Sequence, residues 1–322
     1  MEAVTIIPHR QGAIAPTEEL VDPRGRITPA HNPAHTPAPT PARTPAHIQA
    51  KEPLIKIRPG RAALSSELKE VWAHRELLYF LIWRDLKVRY KQTALGPAWV
   101  ILQPLLMALV FAVFMGWLAR VPSDGLPYPL FAYAGLVPWT FFSSVVATAG
   151  NGLIPNAQMV TKVFFPRMLI HLALTGVRLT DLLVSFVVMF VLMACYGFGV
   201  RRSILLLPVL VLQATLLAVG VALWFSARIV RRRDFATLLP VLLQAWMFAS
   251  PVIYPSRLVP AKWRLIYSLN PLAGVIDGFR SALFGFPFDW AGMSISGAVT
   301  LLLLLYSVHS FLRADENLVD II

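Results

Sequence analysis

PAWVILQPLLMALVFAVFMGWLA, residues 97–119, runs for 23 positions without a charged side chain. Wound as a helix it reaches about 34 Å, enough to cross the roughly 30 Å hydrocarbon core of a bilayer. Five further apolar runs follow at 129–152, 169–196, 203–227, 235–255 and 291–312. The whole chain of 322 residues is 57% hydrophobic and 14% charged, against about 45–50% and about 25% in a soluble domain. The expectation is an all-α polytopic membrane protein with six transmembrane helices. The net charge of +12 does not point to nucleic acid, because from Gln92 onward fifteen basic and eight acidic residues lie interleaved with the apolar runs. Lipid headgroups and a cytoplasmic partner are the better recipients of that charge. The lone Cys195 sits in an apolar run, which excludes an intrachain disulfide and reads as packing.

Outward from the runs, the flanks differ in character. Residues 1–60 hold eleven of the 26 prolines and read as a disordered Pro/Ala/Thr-rich arm, with no apolar segment of signal-peptide length. His31 and His35 are separated by Pro33, which breaks helical ligand spacing, so no metal site is expected there. Over 66–91, Leu68, Val71, Trp72, Leu78, Leu81, Ile82 and Leu86 recur at three- and four-residue spacing, with Arg75, Arg84, Lys87, Arg89 and Lys91 on other faces. That pattern predicts an amphipathic helix lying at the membrane interface. Six spans put both termini on one side. With the N-terminus inside, the connections carry twelve Lys/Arg on the inner side and seven on the outer, so the termini are expected in the cytoplasm. The outer connection 256–290 is half apolar, with Val259-Pro260 and Asn270-Pro271 as helix starts, Asn270 as N-cap and Gly285 as a stop. It predicts two short re-entrant helices before the last span.

Chemistry-bearing residues are sparse. The sequence contains no G-x-x-x-x-G-K-[ST], no H-E-x-x-H and no G-x-S-x-G, so neither nucleotide binding nor covalent catalysis is visible. Arg178 and Asp181 lie three apart on one helix face, about 15 Å into their run. They form either a lock between helices or part of a substrate path. The aromatic clusters at Trp117, at Phe131 to Phe142 and at Trp246 to Tyr254 suit either sugar faces or an interfacial belt. Phe164-Phe165-Pro166-Arg167 places two rings in a short basic cytoplasmic loop, as a protein contact or as rings resting at the interface. An ion-coupled transporter would show inverted repeats, and a membrane glycosyl- or acyltransferase would need paired acid and base groups. Neither pattern is visible, and Asp277 and Asp289 have no spaced partner for acid-base work.

Three stretches, LIWRDLKVRYKQTALGPAWVILQPLL (81–106), VTKVFFPRMLI (160–170) and SPVIYPSRLVPAKWRLIYSLNPLAGVIDGFRSALFG (250–285), carry a resemblance. In order and spacing the chain from about Leu77 to its end, including Phe311, Asp320 and Ile321, resembles the permease subunit of type-2 ABC exporters of polysaccharide, the group exporting O-antigen, capsule and teichoic acid. The resemblance implies a homodimer in the bacterial cytoplasmic (inner) membrane with two copies of a cytoplasmic ABC ATPase subunit, which bind ATP and Mg. It implies a lipid-linked polysaccharide substrate, and no metal, cofactor or catalytic residue on this chain. It assigns residues 61–322 to the exporter domain. Within it, 66–91 is a cytoplasmic gate helix with Trp72, Arg84, Asp85, Arg89 and Tyr90. A coupling helix at 155–167 meets the ATPase through Lys162, Phe164, Phe165, Pro166 and Arg167. Outer gate helices occupy 259–285 with Asn270, Pro271, Asp277 and Arg280. The channel aromatics it points to are Trp139, Phe142, Trp246 and Tyr254. An exporter of a drug or small lipid in the same superfamily is the alternative.

Overall fold

The computed structural model describes residues 64–91, 98–156, 159 and 165–315. The chain divides into Met1–Arg58 and Pro59–Ile322, and the arm lies outside the described residues. Every regular element among the described residues is helical. In chain order these are α1 (Leu64–Ala73), α2 (Arg75–Lys91), α3 (Ala98–Phe111, continued by a π-helical stretch Ala112–Leu118), α4 (Tyr128–Gly150) and α5 (Met168–Cys195). They continue with α6 (Leu207–Ile229), α7 (Asp234–Ala249), α8 (Arg264–Ser268), α9 (Pro271–Phe284) and α10 (Trp290–Asp315). Five segments, Ala98–Leu118, α4, α5, Arg202–Ile229 and Trp290–Ala314, are long and apolar enough to cross a membrane. The fifth expected span, 235–255, yields only the 16-residue α7, because the chain unwinds at Ser250-Pro251.

Packing explains which helix sits where. α4 has the lowest mean hydropathy of the five, 1.5, yet is the most enclosed. A helix surrounded by protein need not be as apolar as one facing hydrocarbon, and its Gly, Ala and aromatic residues let neighbours approach closely. Leu130, Phe131, Tyr133, Leu136, Phe142 and Val145 of α4 form the centre of the main core. α3 buries only Pro104, Ala108 and Phe111, a single stripe at helical spacing that leaves its other faces outward. A second cluster of Leu153, Met168, Leu169, Val219, Leu223, Val308 and Phe311 joins α5, α6 and α10 near the end that carries α1 and α2. Cys195, expected as a packing residue, is exposed, because α5 ends on it.

The expected amphipathic helix is broken at His74, whose ring Nδ1 lies 2.8 Å from the Glu70 carbonyl that also accepts the His74 N–H. Leu81 is buried while Trp72, Tyr79, Phe80 and Trp83 are exposed. α2 docks on α5 at Gly176, where an added Cβ would come within 2.5 Å of the Ile82 side-chain end and oblige it to shift.

Candidate functional site

One helical turn separates Arg178 from Asp181 on α5, so both point the same way. Arg178 Nη1 lies 3.2 Å from Asp181 Oδ2. A third side chain joins them: Arg89 of α2 donates from Nη1 to the same oxygen at 2.5 Å. Arg178 also donates from Nε to Thr148 Oγ1 at 3.4 Å, which brings in α4. The structure therefore unites one expected gate residue with the expected intramembrane pair. The Asp181 side chain is 15% exposed, and what it meets is a cavity of about 250 Å³. Gln103 of α3, Thr140, Ser143 and Ser144 of α4 and Gln244 of α7 supply hydroxyl and amide groups to its wall, and Trp139 supplies a ring.

The other gate candidates behave differently. Arg84 pairs with its neighbour Asp85 at 2.8 Å and reaches Met159 Sδ at 3.6 Å. Trp72 is 72% exposed, a ring free to lie at an interface. The Tyr90 side chain lies outside the described residues, as do Lys162, Phe164 and most of 155–167.

Of the aromatic candidates, Phe142 is 0% exposed and wedged between Trp139 at 5.9 Å and Trp246 at 5.1 Å between ring centroids, within the main core. Trp246 borders an apolar groove of about 560 Å³ among α6, α7 and α10, and its Nε1 donates to Asn270 Oδ1 at 3.0 Å. The Tyr254 hydroxyl donates to the Phe248 carbonyl at 3.1 Å and accepts from Tyr267 at 3.4 Å.

At the opposite end, Asn270 caps α9 by accepting from Leu272 N–H at 3.2 Å, and Gly285 ends the helix at φ 74°, as the sequence reading expects. Asn270 Nδ2 donates to Ser250 Oγ and the Ala249 carbonyl at 2.9 and 3.1 Å. One side chain thus stitches the end of α7 to the start of α9. The region from Val259 to α9 is 3₁₀ turns plus the five-residue α8, with Trp263, Leu265 and Ile266 exposed. α9 is a core helix of the subunit: all of its residues but Gly274 and Asp277 are buried, Pro271 included.

The reason is Arg280, 3% exposed. Its Nη1 donates to the Pro251 carbonyl at 2.6 Å and its Nη2 to those of Val252 at 2.8 Å and Phe131 at 3.4 Å. The guanidinium carbon stands 3.7 Å over the Phe131 ring. Tyr128 donates its hydroxyl to the Ile253 carbonyl at 2.6 Å. Three successive carbonyls of the unwound segment are satisfied by side chains, which unwound backbone away from water requires. Burial lowers the Arg280 guanidinium to about 10, chiefly against the pull of Asp277, so it stays charged at neutral pH. Burial pushes the Asp277 carboxyl above its ordinary range, opposed by Arg280 and by the hydrogen bond it accepts from Ser256.

Phe165 corrects the picture of two exposed rings. It is 8% exposed and belongs to the second core cluster with Met168, Leu169 and Phe311. Phe165→Ala is expected to destabilise the inserted protein by about 3 kcal/mol or more, the usual cost of emptying a buried ring site. The melting temperature in detergent reads this out, and an unchanged value would return the ring to a surface role.

Residues 76–284 match the model of the ABC-2 type transporter family. The chain is 27% identical over 254 residues to the O-antigen export system permease protein RfbA of Myxococcus xanthus, covering 78% of this chain and 96% of that protein. A Klebsiella pneumoniae O-antigen export permease RfbA is 27% identical over 248 residues, 77% of this chain and 95% of its own length. The polysialic acid transport protein KpsM of Escherichia coli is 23% identical over 240 residues, covering 73% and 92% respectively.

Proposed function

Because the chain belongs to the ABC-2 type transporter family, we propose that it is the membrane-spanning subunit of an ATP-driven exporter that carries a lipid-linked polysaccharide across the bacterial inner membrane. The observation that carries this reading is the polar cavity closed by Arg89, Arg178 and Asp181. A polyhydroxyl polymer leaving water needs replacement hydrogen-bond partners at depth, and the wall of that cavity offers hydroxyls, amides and an aromatic ring. A path for an apolar drug would not need them. The apolar groove beside Trp246 suits the lipid portion.

In this reading α7 is a short fifth span, α8 and α9 form a re-entrant unit, both termini are cytoplasmic, and two copies of the chain meet along outward faces such as that of α3. The loop 155–167, with Lys162, Phe164 and Arg167, meets a separate ATPase subunit. Phe165 and Pro166 set the loop's direction from inside the subunit. α2, tied to α5 through Asp181, is the inner gate.

The test is complementation in a strain lacking this chain, with surface polysaccharide as the readout, beside ATPase measurements on purified protein. The lone chain is expected to hydrolyse ATP at background, with activity appearing on adding an ABC ATPase subunit encoded alongside it. Robust hydrolysis by the homogeneous lone chain would sink the proposal. Normal surface polysaccharide in the null strain would instead favour export of a drug or small lipid.

A further inference from the structure

At the end of the subunit opposite α1 and α2, the connections that precede α4, α9 and α10 enclose a cavity of about 550 Å³, within the range of small-ligand sites. Three carboxyl and three guanidinium side chains line it, equal numbers of acidic and basic groups. Four of the six are matched within the wall. Arg257 Nε lies 2.5 Å from Asp124 Oδ1, and Arg280 Nη1 lies 3.8 Å from Asp277 Oδ1. The remaining two are half-used. Asp289 Oδ1 accepts from the Gly292 N–H at 3.0 Å, and Arg264 Nε donates to the Val259 carbonyl at 3.4 Å. Among the described residues no hydrogen bond takes Asp289 Oδ2 or the terminal nitrogens of Arg264. Arg280 also lines the cavity, with its terminal nitrogens committed to the Pro251, Val252 and Phe131 carbonyls.

A ligand suited to these groups must donate to a carboxylate oxygen and accept from guanidinium N–H groups while bringing no net charge. A metal ion or a free carboxylate meets one half of the wall and is repelled by the other. A vicinal diol meets both, and the ring of Phe286 in the lining offers a surface for the C–H face of a pyranose. We propose that this cavity binds a neutral sugar unit at the far end of the path. The proposal rests on the polysaccharide reading above and narrows it to a polymer whose units include uncharged hexoses or deoxyhexoses.

The experiment uses the chain with its ATPase subunit in nanodiscs and measures saturation transfer by NMR to the methyl glycosides of glucose, galactose, mannose, rhamnose and N-acetylglucosamine. At least one is expected to give a signal that glucuronate, inorganic phosphate and calcium ion do not displace. Arg264→Gln and Asp289→Asn are each expected to weaken that binding about tenfold, the effect of one charge-assisted hydrogen bond. Asparagine retains the capping oxygen for Gly292, and Arg264 is exposed, so melting temperatures should stay at the parent value. Both variants also separate this cavity from any other sugar contact in the protein. No signal with any glycoside, equal binding by parent and variants, or displacement by glucuronate, phosphate or calcium overturns the proposal. Surface polysaccharide is measured in parallel: its independence of this chain would sink the transport reading while sugar binding lost in the two variants left the cavity assignment standing.

Discussion

Asp181→Ala is expected to abolish export and to lower the stability of the inserted protein by about 2–3 kcal/mol, less than for a fully buried ion pair because the three side chains are 15–33% exposed. One carboxylate oxygen is shared by Arg178 Nη1 at 3.2 Å and Arg89 Nη1 at 2.5 Å. Without it two guanidinium groups that shared an acceptor repel one another in a partly buried cavity. Because one of them sits on α2, that helix loses its charged tie to α5. Removing the charges together should cost less: Arg89→Leu, Arg178→Leu and Asp181→Leu combined is expected to insert and melt closer to the parent than Asp181→Ala alone, while still failing to export. The measurements are melting temperature in detergent and surface polysaccharide under complementation. Single effects that add without coupling would show that the three groups act independently.

The second large effect is expected at Arg280. Arg280→Ala removes the donor to the Pro251, Val252 and Phe131 carbonyls at once. Unsatisfied buried backbone groups cost about 1–3 kcal/mol each, so the loss should reach about 3–5 kcal/mol even after local relaxation. The predicted phenotype is a protein that inserts but melts early and is cut by protease in the 250–290 region. Arg280→Lys keeps the charge but not the planar fork or the stacking over Phe131, and is expected to fall between alanine and the parent. A melting temperature for Arg280→Ala equal to the parent's would show that the unwound segment is held by Asn270 and Tyr128 instead.

Much of the helical framework was legible because its signal is local. Charge-free runs longer than 20 residues set α3, α4, α6 and α10, α5 follows from an equally long apolar run interrupted only by Arg178 and Asp181, and Asn270, Pro271 and Gly285 marked both ends of α9 by cap chemistry alone. What escaped sequence reading depends on distant partners. Arg89 and Asp181 are 92 residues apart, and no periodicity links an interfacial helix to one particular turn of α5. The interior position of α9 escaped for a related reason: its apolar residues suited a lipid-dipping helix as well as a core one, and only the carbonyls at 251 and 252 distinguish them. Arg280 in the middle of so apolar a segment was the available clue, because a cation there needs acceptors. The burial of Phe165 is not visible from its loop position, although Met168, Leu169 and Ile170 shortly after it continue the same apolar surface.

On the proposed six-span reading, the brevity of α7 has a bearing on the lipid around it. Sixteen residues rise about 24 Å, some 6 Å short of an average hydrocarbon core. A helix that is too short draws the leaflets together beside it, at a fraction of a kcal/mol per Å of mismatch. Here only part of the deficit is covered by the turn Ser250–Pro255, whose 251, 252 and 253 carbonyls are satisfied by side chains of the protein. The membrane can therefore be thinner along α7 than along the 28-residue α5 on the same subunit. Reconstitution in short-chain lipids should be tolerated better than in long-chain lipids, and thickness gradients of this kind give bulky headgroups a shallower barrier at one flank of the molecule.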